Sequence, residues 1–271
     1  MSDQAQKAQR LLELHHGDGP LLLANAWDRG SAKLLASLGF DALATTSSGF
    51  AATLGRLDGA ATREQTLGNA AEIVAASELP VSADLENGFA VDPAGVAETI
   101  ALALDAGLAG CSIEDFSGDG EAPIYELAAA VERVEAAAAT AHAGPVRLVL
   151  TARAENYLHG RPDLADTIAR LQAYERAGAD VLYAPGPTDL DPIRAIVESV
   201  ELPVNVLVRP GAPSVAELAS VGVKRISVGG AFAFAALGAV VEAARELREQ
   251  GTYEFWDRAR VGAAAVRSAF E

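Results

Sequence analysis

The chain has 271 residues, of which 37 are acidic and 21 are lysine or arginine, so its formal net charge is −16. This acidic balance argues against a nucleic-acid partner and against an anionic membrane surface, because both require clustered basic side chains. A lone cysteine excludes an internal disulfide and is typical of a reducing compartment. The first ten residues are polar and lack the apolar core of a signal peptide. We therefore expect a cytoplasmic protein whose partner is a small molecule.

Short apolar runs alternate with longer segments of helical periodicity along most of the chain. The predicted strands are 21–24, 42–45, 81–83, 110–113, 147–150, 181–183, 204–207 and 225–228. The predicted helices are 29–37, 62–77, 93–106, 124–141, 163–177, 191–200, 214–220, 232–250 and 253–270.

Eight strand–helix units without a break in composition favour a closed (β/α)8 TIM-type barrel of the α/β class. The alternative is an open doubly wound sheet, which usually carries a glycine-rich fingerprint after its first strand. Residues 25–30, with the sequence Asn-Ala-Trp-Asp-Arg-Gly, do not form such a fingerprint. We expect a single barrel domain over residues 1–271, with 252–271 as a C-terminal helical extension.

Acidic residues follow the third and fourth predicted strands, at the end of the barrel where active sites lie. Asp84 and Glu86 are two residues apart, so on extended backbone they point to the same side and can approach Glu114. A cluster of carboxylates without histidine or cysteine suits Mg²⁺ or Mn²⁺, which prefer oxygen ligands. The alternative is that each acid caps a helix or forms a salt bridge.

Arg153 and a serine–glycine turn are candidates for holding an anion. A guanidinium after the fifth strand can bind a substrate carboxylate in bidentate fashion, or it can pair with Glu155, Glu114 or Asp84. The turn at 47–49, Ser-Ser-Gly, offers N–H groups and hydroxyls to an oxyanion, although these residue types are also common in ordinary loops.

Five segments in this order resemble the isocitrate lyase / phosphoenolpyruvate mutase superfamily. They are Asn-Ala-Trp-Asp at 25–28, Ser-Gly at 48–49 with Gly-Arg-Leu-Asp at 55–58, Ala-Asp-Leu-Glu-Asn-Gly at 83–88, Ile-Glu-Asp at 113–115 and Ala-Arg-Ala-Glu at 152–155. The resemblance extends over residues 21–236. It implies a homo-oligomer, usually a tetramer, in which the last helix is swapped between subunits. It also implies Mg²⁺ chelated by a 2-oxo carboxylate, with chemistry through an enolate of pyruvate type.

The resemblance also implies roles for individual residues. Asp84 would bind the metal directly, and Glu86 and Glu114 would hold it through water molecules. The expected catalytic residues are Arg153, Asp58 and Glu114. The residues expected to bind the substrate are Trp27, Ser48, Gly49, Phe50, Asp84 and Arg153, with the backbone contributing at 48–50.

The sequence departs from the lyases of this superfamily in one loop. Those enzymes carry Lys-Lys-Cys-Gly-His soon after the Glu-Asp pair, whereas residues 116–120 here are Phe-Ser-Gly-Asp-Gly. Cys111 precedes Glu114 within a strand and is expected to be a small core residue. Glu86 stands where many members have aspartate, and Tyr157 and His159 are the candidates for an unassigned general acid or base.

The leading hypothesis is a Mg²⁺-dependent enzyme that cleaves a C–C bond in a small 2-oxo or 2-hydroxy dicarboxylate, or decarboxylates it. A phosphonopyruvate-type hydrolase or mutase is a second possibility, which the weakly basic loop disfavours. A barrel that binds a 2-oxo acid without turnover is a third, because the catalytic loop of the lyases is absent. The glycines at 211 and 229–230 also leave open a sugar-phosphate enzyme, which would not explain the acidic strand ends.

Overall fold

A closed barrel of eight parallel strands in sequential order forms the centre of the protein, as predicted. The computed structural model describes residues 2–271. The strands are β1 Leu21–Ala26, β2 Leu43–Thr45, β3 Val81–Asp84, β4 Gly110–Glu114, β5 Val149–Arg153, β6 Val181–Tyr183, β7 Val204–Leu207 and β8 Arg225–Ser227. The barrel closes where β1 pairs with β8, with Leu21 opposite Arg225.

Helices follow every strand, and two of the helices were not predicted from the sequence. The helices are α1 Asp3–Leu14, α2 Arg29–Ser37, α3 Ser47–Thr53, α4 Arg63–Val74, α5 Pro93–Asp105, α6 Leu127–His142, α7 Leu164–Arg176, α8 Leu190–Glu198, α9 Val215–Ser220, α10 Ala231–Glu249 and α11 Trp256–Phe270. The unpredicted ones are α1 and α3. No helix within residues 2–271 is both long and apolar enough to cross a membrane.

Helix α1 closes the N-terminal end of the barrel. Ser2 caps the helix by accepting a hydrogen bond from the Ala5 N–H at 3.2 Å. Ala8 and Leu11 are buried and pack in one cluster with the inward-facing Leu21 and Leu23 of β1. Because this end is filled with apolar side chains, polar groups inside the barrel face the opposite end, which is formed by the C-terminal ends of the strands.

The position of β5 corrects the prediction and aligns two candidate site residues. The predicted strand covered 147–150, whereas β5 runs Val149–Arg153. Arg147 lies outside the strand and pairs with Asp180 at 2.6 Å. The register places Glu114 of β4 directly beside Arg153 of β5, and Arg153 beside Tyr183 of β6. Residues that are far apart in sequence therefore share one layer of the barrel.

Helix α10 contacts the barrel near its start, around Ala233, but most of its length is exposed. Among its residues only Ala233 is buried. Its exposed apolar side chains are Phe234, Leu237, Val240, Val241 and Leu247. On the outer face of β1, Leu22 is 42% exposed, which is unusual for a barrel strand that a helix covers.

Helix α11 packs against the same chain. The ring of Phe270 lies over the α2 backbone near Gly30, and the ammonium of Lys33 lies 5.8 Å from the centre of that ring. The segment expected to be swapped between subunits therefore has a surface to cover within its own chain. Helix exchange stays a prediction, and the helix that lacks a covering surface is α10.

Candidate active site

Two adjoining cavities open at the C-terminal ends of the strands. The inner cavity, of about 180 Å³, extends into the barrel, and the outer cavity, of about 310 Å³, lies towards the loops. Four residues line both cavities: Ser47, Asp58, Arg153 and Leu158. Asp84 lines the inner cavity, whereas Glu86, Glu114 and Glu155 line the outer one. The predicted acids and Arg153 therefore meet at the boundary between the two spaces.

Arg153 is the centre of an ion-pair network. Its Nη1 lies 2.9 Å from Asp84 Oδ1 and 3.1 Å from Glu114 Oε2, and its Nη2 lies 2.7 Å from Glu155 Oε1. The Nε group also donates to Glu155, at 2.9 Å. The Tyr183 ring lies 5.0 Å from the guanidinium. A bidentate grip on a substrate carboxylate, as the sequence suggested, would require Arg153 to release one of these acids.

Glu86 reaches the site by a route that the sequence did not indicate. It lies beyond the end of β3 in a left-handed conformation, with φ of 48°, so the argument from extended backbone was wrong for this residue. Its backbone carbonyl accepts from the Glu114 N–H at 2.9 Å, and its own N–H donates to Asp84 Oδ1 at 3.3 Å. These bonds hold an uncommon conformation at the mouth of the barrel.

The site holds more negative charge than its cations balance. Burial, followed by repulsion from Asp84 and Asp58, raises the pKa of Glu86 to about 7. Burial raises the pKa of Glu114 well above its ordinary value, against the lowering effect of Arg153. The pKa of Asp58 is also raised, chiefly by burial. Carboxylates that are hard to ionise are the expected result when several converge on one guanidinium.

This donor set fits a hard divalent cation. The buried Oε1 of Glu86 has no hydrogen-bond partner, and every candidate ligand is a carboxylate oxygen. In the described part of the chain, no three acidic, histidine or cysteine side chains are close enough together to hold a metal ion by themselves. A cation here would therefore take few direct protein ligands and retain water, as Mg²⁺ commonly does.

The segment 47–50 forms the first turn of a helix, which corrects the predicted loop. The Thr46 hydroxyl accepts from the Gly49 N–H at 3.4 Å, and the Thr46 carbonyl accepts from the Phe50 N–H at 3.0 Å. Both N–H groups are therefore used within α3, and neither residue lines the cavities. Ser48 lines the inner cavity, so of the three expected backbone contacts only the one at Ser48 stays accessible.

Trp27 supports this helix instead of lining either cavity. A side chain added at Gly49 would have its Cβ 2.6 Å from the Thr46 methyl group and 3.1 Å from the Trp27 Cβ. Glycine at 49 thus allows α3 to lie directly against Trp27. The tryptophan sets the position of Ser48 indirectly, through packing.

Asp115 holds the base of the site together, a role that the sequence analysis did not assign. Its carboxylate accepts from the Tyr174 hydroxyl at 2.6 Å, from Arg170 Nη1 at 3.1 Å and from the Glu155 N–H at 2.7 Å. It is 3% exposed. Because Glu155 pairs with Arg153, this buried group connects the outer helices to the ion-pair network.

The loops above the site contribute His159 but not Tyr157. The imidazole of His159 stacks on Phe116, with ring centres 3.9 Å apart, and its Nε2 lies 3.7 Å from Glu155 Oε2. Both aromatic residues line the outer cavity, which Tyr157 does not. Cys111 of β4 is completely buried in the core between the strands and the surrounding helices, as expected. Burial raises the pKa of its thiol far above the ordinary value.

Comparison with known proteins identifies the family. The family model for phosphoenolpyruvate phosphomutase matches residues 11–248. A solved structure from Burkholderia cenocepacia J2315, assigned provisionally as a lyase or mutase, is 53% identical, covers 98% of this chain and 97% of its own, and superposes with a TM-score of 0.96.

Two curated relatives match most of the chain. An uncharacterized protein of Mycobacterium tuberculosis is 34% identical over 239 residues, 88% of each chain. An oxaloacetate decarboxylase of Paraburkholderia xenovorans is 32% identical over 216 residues, 76% of this chain and 69% of the relative. The chain therefore belongs to the phosphoenolpyruvate phosphomutase family, and its expected place in the isocitrate lyase / phosphoenolpyruvate mutase superfamily is confirmed.

Proposed function

We propose that the protein is a Mg²⁺- or Mn²⁺-dependent enzyme that decarboxylates a small 2-oxo dicarboxylate, or cleaves a C–C bond in it or in a 2-hydroxy dicarboxylate, through an enolate. The observation that carries this proposal is the surplus of carboxylates around Arg153, together with the unpartnered Glu86 oxygen at the mouth of a barrel cavity. The activity in the name of the Paraburkholderia relative, oxaloacetate decarboxylase, supports the same class of substrate.

In this proposal Asp84 binds the cation directly, and Glu86 and Glu114 hold it through water. When bound, the metal supplies positive charge where the oxo oxygen of the substrate becomes negative. Arg153 orients Asp84 and Glu114 through the contacts described above. Ser48 faces the inner cavity and is placed to donate a hydrogen bond to the carboxylate next to the oxo group.

Protonation of the enolate carbon requires a proton donor at the site. His159 lines the outer cavity, and Glu155 Oε2 lies near its Nε2, so the imidazole is placed to hold a proton there. Cys111 cannot take this role because it lies on the outward side of β4, away from the cavities. Decarboxylation is favoured over the isocitrate-type cleavage, since the residues at 116–120 supply no thiol or basic group.

We also propose that the protein is a homo-oligomer, with a tetramer as the expected form. The supporting observation is the helix α10, whose apolar side chains are exposed while the outer face of β1 near Leu22 is uncovered. An exposed apolar face of this extent is typical of an interface. A second copy of the chain offers both the helix and the surface that the helix would cover.

The metal-dependent proposal is tested with Asp84→Asn. We expect the variant to fold normally and to lose binding of 2-oxo acids by roughly 100-fold or more, because a direct ligand is lost. Asp189→Asn is a matched control, since Asp189 is exposed and makes no capping hydrogen bond. Calorimetric titration with oxaloacetate and pyruvate, with Mg²⁺ or with EDTA, measures the effect. Unchanged affinity in the variant or in EDTA would contradict the proposal.

A further inference from the structure

Arg225 is a buried arginine inside the barrel that has no acidic partner. It is the first residue of β8, lines the inner cavity and is 4% exposed. Its Nε donates to Asn205 Oδ1 and its Nη1 donates to Thr151 Oγ1, each at 2.9 Å. Within residues 2–271, no carboxylate lies within 4.0 Å of its guanidinium nitrogens. Two neutral acceptors therefore orient the group without neutralising its charge.

Two other largely buried arginines, Arg153 and Arg170, are paired with carboxylates, whereas Arg133 has neutral partners. Arg153 contacts three carboxylates, and Arg170 contacts Asp115 and Asp166. Arg133 donates to three backbone carbonyls and lies over the Tyr125 ring. Burying a guanidinium without a carboxylate partner is costly. Burial, followed by repulsion from Arg153, lowers the pKa of Arg225 to about 10, as expected for a cation without a counter-charge.

Charge is distributed unevenly between the two cavities. Besides Asp58 and Arg153, which line both cavities, the outer cavity has Glu86, Glu114 and Glu155, whereas the inner cavity has Asp84, Arg225 and the hydroxyls of Ser82, Ser112 and Ser227. Above the mouth, residues 116–126 contain no lysine or arginine. A second carboxylate on a substrate therefore meets fewer acids inside the barrel than outside it, together with an arginine that has no acidic partner.

We propose that Arg225 binds the carboxylate farther from the oxo group, so that this carboxylate points into the inner cavity and the protein selects 2-oxo dicarboxylates over monocarboxylates. This assignment rests on the proposed function, which places the carboxylate next to the oxo group at the metal. Arg153 is less suited to the distal carboxylate because its nitrogens already contact acids. Arg225 has N–H groups beyond the two that donate to Asn205 and Thr151, and a bidentate carboxylate contact would use them.

The test compares two ligands by calorimetry in the presence of Mg²⁺. The first, 3,3-difluorooxaloacetate, has a distal carboxylate, and the second, oxalate, does not. In Arg225→Met we expect affinity for difluorooxaloacetate to fall about 10-fold to 100-fold, as for loss of a charge-assisted contact. Affinity for oxalate is expected to stay within about 3-fold of wild type, because oxalate does not reach Arg225. Arg225→Lys keeps the charge and should fall between wild type and Arg225→Met.

A stability measurement separates ligand binding from a purely structural role. Replacing a buried uncompensated charge with an apolar side chain is often neutral or stabilising, so ligand-free Arg225→Met should melt no lower than wild type. Arg209→Met, in an exposed residue after β7, controls for loss of an arginine near the site. Difluorooxaloacetate should raise the melting temperature of wild type and Arg209→Met more than that of Arg225→Met.

The possible results distinguish a failure of the Arg225 assignment from a failure of the proposed function. Equal losses for both ligands in Arg225→Met, or no loss for either, would overturn the assignment of Arg225 while leaving the proposed function intact. A wild-type protein that binds neither ligand with Mg²⁺ would overturn both proposals. Tight binding that depends on Arg225, without turnover of any 2-oxo dicarboxylate, would support Arg225 and contradict the enzymatic proposal.

Discussion

Asp115→Asn is expected to destabilise the protein by about 3–5 kcal/mol, because it leaves a buried arginine without its buried carboxylate partner. Asp115 accepts hydrogen bonds from Tyr174, Arg170 and the Glu155 N–H, and it is 3% exposed. The asparagine side chain keeps one acceptor oxygen, but its NH₂ group is itself a donor and would face the donors that now bind Asp115. Arg170 retains Asp166, whose side chain is 39% exposed and therefore compensates the charge weakly.

Thermal and urea unfolding in EDTA measure this loss. For a chain of this size, each kcal/mol shifts the melting temperature by roughly 2 °C, so a fall of about 6–10 °C is expected. Tyr174→Phe removes a single donor and should cost about 1–2 kcal/mol, whereas Asp166→Asn should cost at most about 1 kcal/mol. A cost for Asp115→Asn no larger than that for Asp166→Asn would refute the role assigned to Asp115.

Three further predictions concern the site and the assembly. The pKa of Glu86 is raised from 4.5 to about 7 in the folded protein, so this side chain ionises at a lower pH in the unfolded chain. The melting temperature in EDTA should therefore fall as the pH rises from about 4.5 to 7. Glu86→Gln should reduce this fall. Cys111→Ser should keep full turnover with a small packing cost, and a methylisocitrate lyase rate of roughly 1–10³ s⁻¹ in the wild type would contradict the assignment of the reaction. Leu237→Asp, on the exposed face of α10, should reduce the assembly in sedimentation velocity, and a wild-type monomer at micromolar concentration would contradict the proposed oligomer.

The barrel could be predicted because its strands and helices carry strong local signals. Helix α2 begins and ends where predicted, since Asp28 forms a capping box with Ser31 and Gly39 follows the helix in a left-handed conformation. Strand β7 also matches its predicted bounds, as Pro203 marks its start. Such boundaries depend on a few neighbouring residues, all of which are visible in the sequence.

Other features depend on contacts that no local pattern contains. Helix α1 has a local signal in its Ser2 cap and its apolar Ala5, Ala8 and Leu11, but only the fold shows that this face fills the bottom of the barrel. The left-handed turn at Glu86 is stabilised by the N–H of Glu114 on the next strand. Arg225 follows Lys224 and resembles a surface charge in the sequence, but the alternation of β8 turns it inward beside Asn205. In each case the decisive partner lies far away in the chain.

The barrel fold is compatible with several reactions, so the choice among them depends on charge within the site. A phosphonopyruvate-type reaction would bring a phosphoryl group with about two negative charges into the site. The acids Glu86, Glu114 and Glu155 at the mouth would repel such a group, and its two charges exceed the single charge of Arg225 inside the barrel, with Arg153 already engaged by acids. Decarboxylation releases neutral CO₂ and leaves the electron pair of the broken C–C bond on the enolate oxygen, where a bound cation would balance it, so decarboxylation is electrostatically the better match. Turnover of phosphonopyruvate at a rate equal to that of oxaloacetate would show that this electrostatic reasoning is wrong.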